Sequence, residues 1–406
     1  MKRGTSTLLA AALAVGSACA QSYPNPISGV GQTNCRDPAM TYRPETKTYY
    51  MFSTGQGMKI FKAPAITGPW TLSGYVMPNN CSIVDNPGRC DLWAGDIARI
   101  GGQYVLYYSA SQVGSANAVI GVATSATMDP GSWTDHGEVI RSDGSLGFIA
   151  IDPNIIDANG LKLQFGSHIL SLFQIEMTDF KTPKTKLPGK HIAGHNGREA
   201  EGGFLYKSPD SPYYFIRKTR FSRERPNPSI VSLALPPAVM DFMPGSRWNR
   251  GRSERVGLPA LSGTCCLPAL LSTPQVRIRV SELEMFFFFS DGVTLFGGGR
   301  PPAGDEYKVR VGRSMSPSGP FLDKTGDDLT KNMPESPSGS IVLASHDNIY
   351  APGGQSLFRD TVSNRDVMAY HWVSNSEGGA ARLGTNYIDF KSGWPTVITA
   401  PVVKPS

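Results

Sequence analysis

Four acids recur along the chain in similar settings, each followed or preceded by small turn-forming residues. They are Asp37 in Cys35-Arg36-Asp37-Pro38, Asp96 in Trp93-Ala94-Gly95-Asp96-Ile97, Asp152 in Ala150-Ile151-Asp152-Pro153-Asn154, and Glu201 in Glu199-Ala200-Glu201-Gly202-Gly203-Phe204. Their spacings are 59, 56 and 49 residues. One Asp-Pro pair taken alone is ordinarily a turn or strand start; four acids at matching positions of a repeat point instead to a shared site. Carboxylates crowded into a confined space raise at least one pKa, which yields a general acid beside a general base near neutrality. Hydrolysis of a glycosidic bond uses such a pair: one carboxylic acid protonates the leaving oxygen and one carboxylate activates water or attacks the sugar.

The elements that must position these acids also repeat. After each acid come short β-branched and aromatic runs separated by Gly or polar turns, with no long stretch of helical period. Tyr49-Tyr50-Met51-Phe52, Tyr104-Val105-Leu106-Tyr107-Tyr108, Leu161-Lys162-Leu163-Gln164-Phe165, Tyr307-Lys308-Val309-Arg310-Val311 and Met368-Ala369-Tyr370-His371-Trp372 are the clearest runs. An aromatic closes each unit: Trp70, Trp133, Phe180, Phe321 and Trp394. The pattern predicts an all-β fold, a five-bladed β-propeller, whose innermost strands present their first residues to a central funnel.

One interval is about twice the others, and it contains residues 216–286, which carry ten Arg, one Lys, five acids and eight Pro, and no Tyr. Tyr213-Tyr214-Phe215 before this stretch and Phe287-Phe288-Phe289-Ser290 after it join into one strand pattern. The stretch therefore reads as an insertion interrupting blade four, never selected to fold, such as an intron carried into the reading frame. An ordinary long surface insertion is the alternative. A break inside a strand is expected to leave Glu201 on a disrupted sheet. The predicted organisation is a signal peptide over 1–20 and a single catalytic propeller over 21–406, interrupted at 216–286.

Further motifs resemble those of glycoside hydrolase family 43, and most closely its secreted fungal arabinan endo-1,5-α-L-arabinosidases. They include Asp91-Leu92-Trp93-Ala94-Gly95-Asp96, Gly131-Ser132-Trp133-Thr134-Asp135-His136-Gly137, Phe165-Gly166-Ser167 and Pro301-Pro302-Ala303-Gly304-Asp305-Glu306-Tyr307-Lys308. Tyr350-Ala351-Pro352-Gly353-Gly354-Gln355 and Ile388-Asp389-Phe390-Lys391-Ser392-Gly393-Trp394-Pro395 follow in order. The resemblance implies an inverting reaction with Asp37 as general base, Glu201 as general acid and Asp152 as the group that tunes and orients the acid. Glu199 is the nearby rival to Glu201. Trp93, Asp96 and Gln355 are the expected substrate-side residues, with Trp93 either stacking on a sugar or packing between blades, and Asp96 leaning towards a structural role. Gln355 stands where many bacterial relatives carry a His that helps hold a central cation, so no metal is expected and structural calcium is the weaker reading. His346 and His371 are polar alternatives near the fifth blade, and a lone His is more often packed or exposed than a ligand. Gly95 replaces the family's usual Pro, and His168 stands where relatives usually have an aromatic.

Lys2 and Arg3, the apolar run Leu8 to Val15, and Ala18-Cys19-Ala20 have the form of a secretory leader. Cys81 and Cys90 are close enough to form a local disulfide in an oxidising compartment. Cys35 has no evident partner, and Cys265-Cys266 are adjacent. Asn80-Cys81-Ser82 is a sequon whose glycosylation would compete with that disulfide. The net charge of +6 tempts a nucleic-acid reading. Eleven basic residues against five acids in 216–286 account for all of it. A secreted monomer acting on arabinan, with neither nucleic acid nor membrane as partner, is the expectation. An exo-acting arabinofuranosidase or xylosidase and a carbohydrate-binding propeller without turnover are its rivals.

Overall fold

Short apolar runs punctuated by Gly, Pro and Asp can satisfy their backbone groups only by pairing with neighbouring runs, and the chain does so locally throughout. The computed structural model describes residues 22–166, 170–194, 199–211, 215–216, 280–281, 284–293, 300–331, 338–374 and 379–399. The leader, Cys265-Cys266, His168 and most of the expected insertion lie outside them. Five antiparallel sheets of consecutive strands form the blades of a propeller. Blade 1 runs Ala39–Arg43, Thr48–Ser53, Lys59–Ala63, Thr71–Tyr75. Blade 2 runs Asp91–Ile100, Gln103–Ala110, Asn117–Ser125, Trp133–Asp143, with Gly55–Gln56 added at its inner edge. Blade 3 runs Asn154–Asp157, Leu161–Gly166, Leu172–Glu176, Lys190–Ala193. Blade 4 runs Ala200–Tyr206, Met285–Asp291, Lys308–Ser314, Ser340–Leu343, and blade 5 Ile349–Asp360, Arg365–Ser374, Ala381–Asp389, Thr396–Ile398. Among the described residues no helix is long and apolar enough to cross a membrane.

The core is a ring of five apolar clusters, one between each adjacent pair of blades. Side chains alternate across a strand, so a strand buried on both faces must be apolar at every position. Phe286-Phe287-Phe288-Phe289 meets that demand. Phe286 and Phe288 pack towards blade 5, and Phe287 and Phe289 towards blade 3. Each contributes roughly 1.5–3 kcal/mol by leaving water. Blade 5 is built entirely from the C-terminal strands, and the segment before blade 1 is fastened to it. Ile27 N donates to Thr385 O, Leu383 N to Thr33 O, and the buried Asn386 amide to Asn25 O at 3.0 Å and Ile398 O at 3.5 Å.

Two features of the repeat differ from expectation. Trp70, Trp133, Phe180, Phe321 and Trp394 precede or open the outermost strand of each blade rather than closing the unit. The outer strand is half exposed and carries a weaker apolar signal than the aromatic before it. The second difference is the boundary of the insertion. The strand paired with Ala200–Tyr206 is Met285–Asp291, in register from Ala200↔Asp291 to Tyr206↔Phe286, with one irregularity between Glu201 and Phe204. Met285 and Phe286 are therefore blade residues, and the excursion leaves from the turn of a hairpin rather than from within a strand. Its described margins are tied down: Ser211 Oγ donates to the buried Glu284, Glu284 pairs with Arg313 at 3.2 Å, and Phe215–Ile216 pairs with Val280–Ser281. The sheet holding Glu201 is not severed.

Candidate active site

The chain is bent at, or just before, the first strand of each blade where it meets the axis. Asp37 and Asp152 sit at φ +47° and +53°, Ala94 at +40°, Gly202 at +62° and Gly354 at +57°. Register irregularities fall between Trp93 and Asp96, Glu201 and Phe204, and Tyr350 and Ser356. Such kinks re-aim side chains out of the ladder, and non-glycine residues in this region are held there by their surroundings. The bends open a cavity of about 750 Å³ at the axis. Asp37, Trp93, Asp96, Asp152, Glu201 and Gln355 all line it, so every acid and substrate-side residue expected from the sequence reaches one place.

Within it the acids differ. Asp37 Oδ2 accepts the Thr54 hydroxyl at 2.6 Å, and its Oδ1 lies 3.2 Å from His371 Nδ1. Burial pushes the Asp37 carboxyl up, but His371, Thr54 and the charge of Arg36 outweigh it and hold the carboxyl below its ordinary value. Asp152 goes the other way. Burial first, then the negative charges of Glu201 and Asp37, raise it well above the carboxylate range, against one stabilising N–H from Gly202. That N–H donates to Asp152 Oδ2 at 3.0 Å and ties Asp152 to the residue following Glu201. Glu201 Oε1 accepts the Tyr307 hydroxyl. The cavity thus sets an ionised carboxylate at Asp37 against a carboxyl that tends to keep its proton at Asp152, beside Glu201.

The remaining expected residues sort clearly. Asp96 is 4% exposed, and its Oδ2 accepts Asn154 Nδ2 at 3.1 Å and Ile155 N at 2.8 Å. It ties blade 2 to blade 3, and burial, only partly offset by those donors, raises its pKa to about 7. Trp93 is half-buried in the cavity wall, its indole N–H on Asp91 at 3.2 Å, and it lies outside the inter-blade apolar clusters. Gln355 is buried, donating to Gly202 O at 2.7 Å and accepting from Ser290 at 2.8 Å. Both ends of its amide are occupied by protein, and among the described residues no group of three or more His, Cys, Asp or Glu could hold a metal ion. Glu199 precedes the blade-four strand and, among the described residues, does not line the cavity. His346 bonds its own turn through Ala344 O at 2.8 Å.

His371 and Tyr307 carry more of the site than their sequence setting shows. His371 is 1% exposed and accepts the Asp37 backbone N–H at 3.2 Å. Only its place at the inner end of a Tyr-His-Trp strand hinted at this. Tyr307 reads simply as the first residue of an apolar run. Elsewhere, Cys81 and Cys90 form the expected disulfide beside Asn80. Cys35 is buried 3.7 Å from Met51 Sδ, and burial pushes its thiol up to about 12.

The profile of glycosyl hydrolases family 43 matches residues 23–219. The probable arabinan endo-1,5-alpha-L-arabinosidase A of Aspergillus clavatus is 35% identical over 385 residues, covering 93% of this chain and 95% of its own. The arabinan endo-1,5-alpha-L-arabinosidase A of Aspergillus aculeatus is 33% identical over 386 residues, with the same two shares. Among solved structures, an exo-1,5-alpha-L-arabinanase from a bovine ruminal metagenomic library superposes with a TM-score of 0.63 at 23% identity, covering 93% of this chain and 100% of that one. A Cellvibrio cellulosa alpha-L-arabinanase complexed with arabinohexaose gives 0.62 at 22%, covering 90% and 96%. These two likenesses fix the propeller fold.

Proposed function

Because the chain belongs to glycosyl hydrolases family 43, we propose that it is an endo-acting hydrolase of α-1,5-linked arabinan that works with inversion of configuration. The observation that carries this reading is the convergence of Asp37, Asp152 and Glu201 on one axial cavity, where Asp37 is held low and Asp152 high. Asp37, ionised and fixed through Thr54 and His371, is the base that draws a proton from the attacking water. Glu201 is the acid that delivers a proton to the departing arabinosyl oxygen. Asp152 keeps that proton available, since a second full negative charge beside Glu201 and Asp37 is unfavourable. Inversion requires water between base and sugar, and the axial cavity offers the room. Trp93 presents an aromatic face to a furanose ring.

Export is supported by the leader-like first twenty residues and by Cys81–Cys90, a bond that persists outside the reducing cytosol. The net charge of +6 gives no ground for a nucleic-acid or membrane partner, because residues 216–286 account for all of it, and a monomer is the simplest working form. The test is digestion of linear arabinan, with product size and anomeric configuration followed by chromatography and proton NMR. Early release of oligosaccharides in the inverted configuration supports the proposal. Arabinose alone would turn it to an exo-acting enzyme, and retained configuration would overturn the roles of Asp37 and Glu201.

A further inference from the structure

The two reacting sides of the cavity are joined by side chains outside the carboxylate set. His371, in the second strand of blade 5, and Tyr307, just before the third strand of blade 4, form an offset, nearly parallel stack with centroids 5.8 Å apart and planes 20° apart. The outer end of each ring touches one catalytic acid. Tyr307 donates its hydroxyl to Glu201 Oε1, and His371 Nδ1 stands 3.2 Å from both the Asp37 amide nitrogen and Asp37 Oδ1. With Nδ1 bare, the ring accepts the amide N–H; with Nδ1 protonated, it donates to the carboxylate. Either way the ring fixes where Asp37 points.

The backbone beside the stack leaves it no slack. A Cβ on Gly354 would lie 2.5 Å from Asp37 Oδ1 and 2.6 Å from His371 Nδ1, and one on Gly353 would lie 2.2 Å from the Tyr307 ring. The Gly353-Gly354 pair is the space the stack occupies. Burial, followed by the charges of Glu201 and Asp152, holds the Tyr307 phenol far above neutrality, so it remains a donor throughout turnover.

We propose that His371 and Tyr307 are positioning residues that act as one stacked spacer, setting the separation of base and acid across the water that inversion requires. This rests on Asp37 as base and Glu201 as acid. Inverting enzymes need their two carboxyls roughly 6.5–9.5 Å apart, and a misplacement near 1 Å can cost on the order of a hundredfold in rate. Two stacked aromatic rings resist compression better than two independent flexible side chains.

The test uses four single variants of the full chain, assayed on linear arabinan and on an aryl arabino-oligosaccharide whose leaving group needs no proton. His371→Phe keeps a ring on Tyr307 but removes Nδ1. It is expected to lower kcat roughly 10- to 100-fold on both substrates, with KM within about twofold and an unchanged melting temperature. His371→Asn, which restores a polar group at the Nδ1 position but not the ring, should recover only part of the kcat lost in His371→Phe, and full recovery to wild type would mean that the stack sets nothing. Tyr307→Phe should lose about tenfold on arabinan and little on the aryl substrate, because it acts through the acid. Glu201→Gln supplies the control. If its loss is not relieved by the aryl leaving group, the acid assignment fails. If it is relieved while Tyr307→Phe is not, Tyr307 is no positioner of the acid. Wild-type kcat in His371→Phe, or no gain from Asn over Phe, overturns the role of His371. Should His371→Phe not fold, His371→Leu against His371→Asn makes the same comparison.

Discussion

The hairpin Ala200–Tyr206 with Met285–Asp291 has two ends under opposite regimes. At the axial end, Glu201 pairs with Ser290, and within a few residues the chain meets Tyr307, Asp152, Gln355 and Gly354, each through a specific hydrogen bond. At the other end, beyond Tyr206↔Phe286, a stretch of more than sixty residues departs and returns with the same ladder still formed. Between the ends, Phe287 and Phe288 seal the blade to both neighbours. Sheet geometry transmits position along the strand, whereas tolerance to extra chain depends only on where the chain leaves it.

Substitutions along this hairpin should separate chemistry from stability. At the axial end, Glu201→Gln should lower kcat on arabinan by 10²–10⁴-fold with little change in melting temperature, as should Asp37→Asn. A comparable fall in stability would mean that the axial end is structural. In the middle, Phe288→Ala should cost about 3–5 kcal/mol in denaturant unfolding while the folded fraction keeps wild-type kcat. At the far end, excising residues 216–286 should leave kcat/KM within about twofold. Phe215 then falls where Phe286 stood, and shortening the connection should stabilise by about 2 kcal/mol on loop-closure grounds. A large loss of activity would show that the excursion matters to the rim.

The last effect is one of pH and concerns the tie between blades 2 and 3. The Asp96 pKa is raised to about 7 in the fold, so the folded state holds a proton there that the unfolded chain releases near pH 4. Stability from this group is full below pH 4 and falls as pH rises towards 7. Asp96→Asn, whose carbonyl can still accept from Asn154 and Ile155, should flatten that fall. Melting curves from pH 4 to 8 check it, and an unchanged slope would place the pH dependence elsewhere.

Blade number and the positions of the acids were readable because a propeller repeats one unit. Asp37, Asp96, Asp152 and Glu201 therefore stand at equivalent points in the sequence. The edge of the insertion was not, for a specific reason. Tyr214-Phe215 and Met285-Phe286 both continue the same alternation into Phe287, so two joins satisfy one pattern, and only the observed pairing of Phe286 with Tyr206 chooses between them. His371 was underrated because its partner is 334 residues away and comes near only when blade 5 meets blade 1. Local pattern carries no record of ring closure.

That closure has a topological consequence. The buried Asn386 amide holds the backbone of Asn25 on one side and Ile398 on the other, so one side chain of blade 5 clasps both margins of the propeller. The molecule is close to a circle with its seam at Asn386. A permuted chain, sutured between those margins and opened instead between residues 216 and 280, would keep every blade pairing. Its new termini would hang from the far end of the blade-four hairpin, away from the catalytic rim.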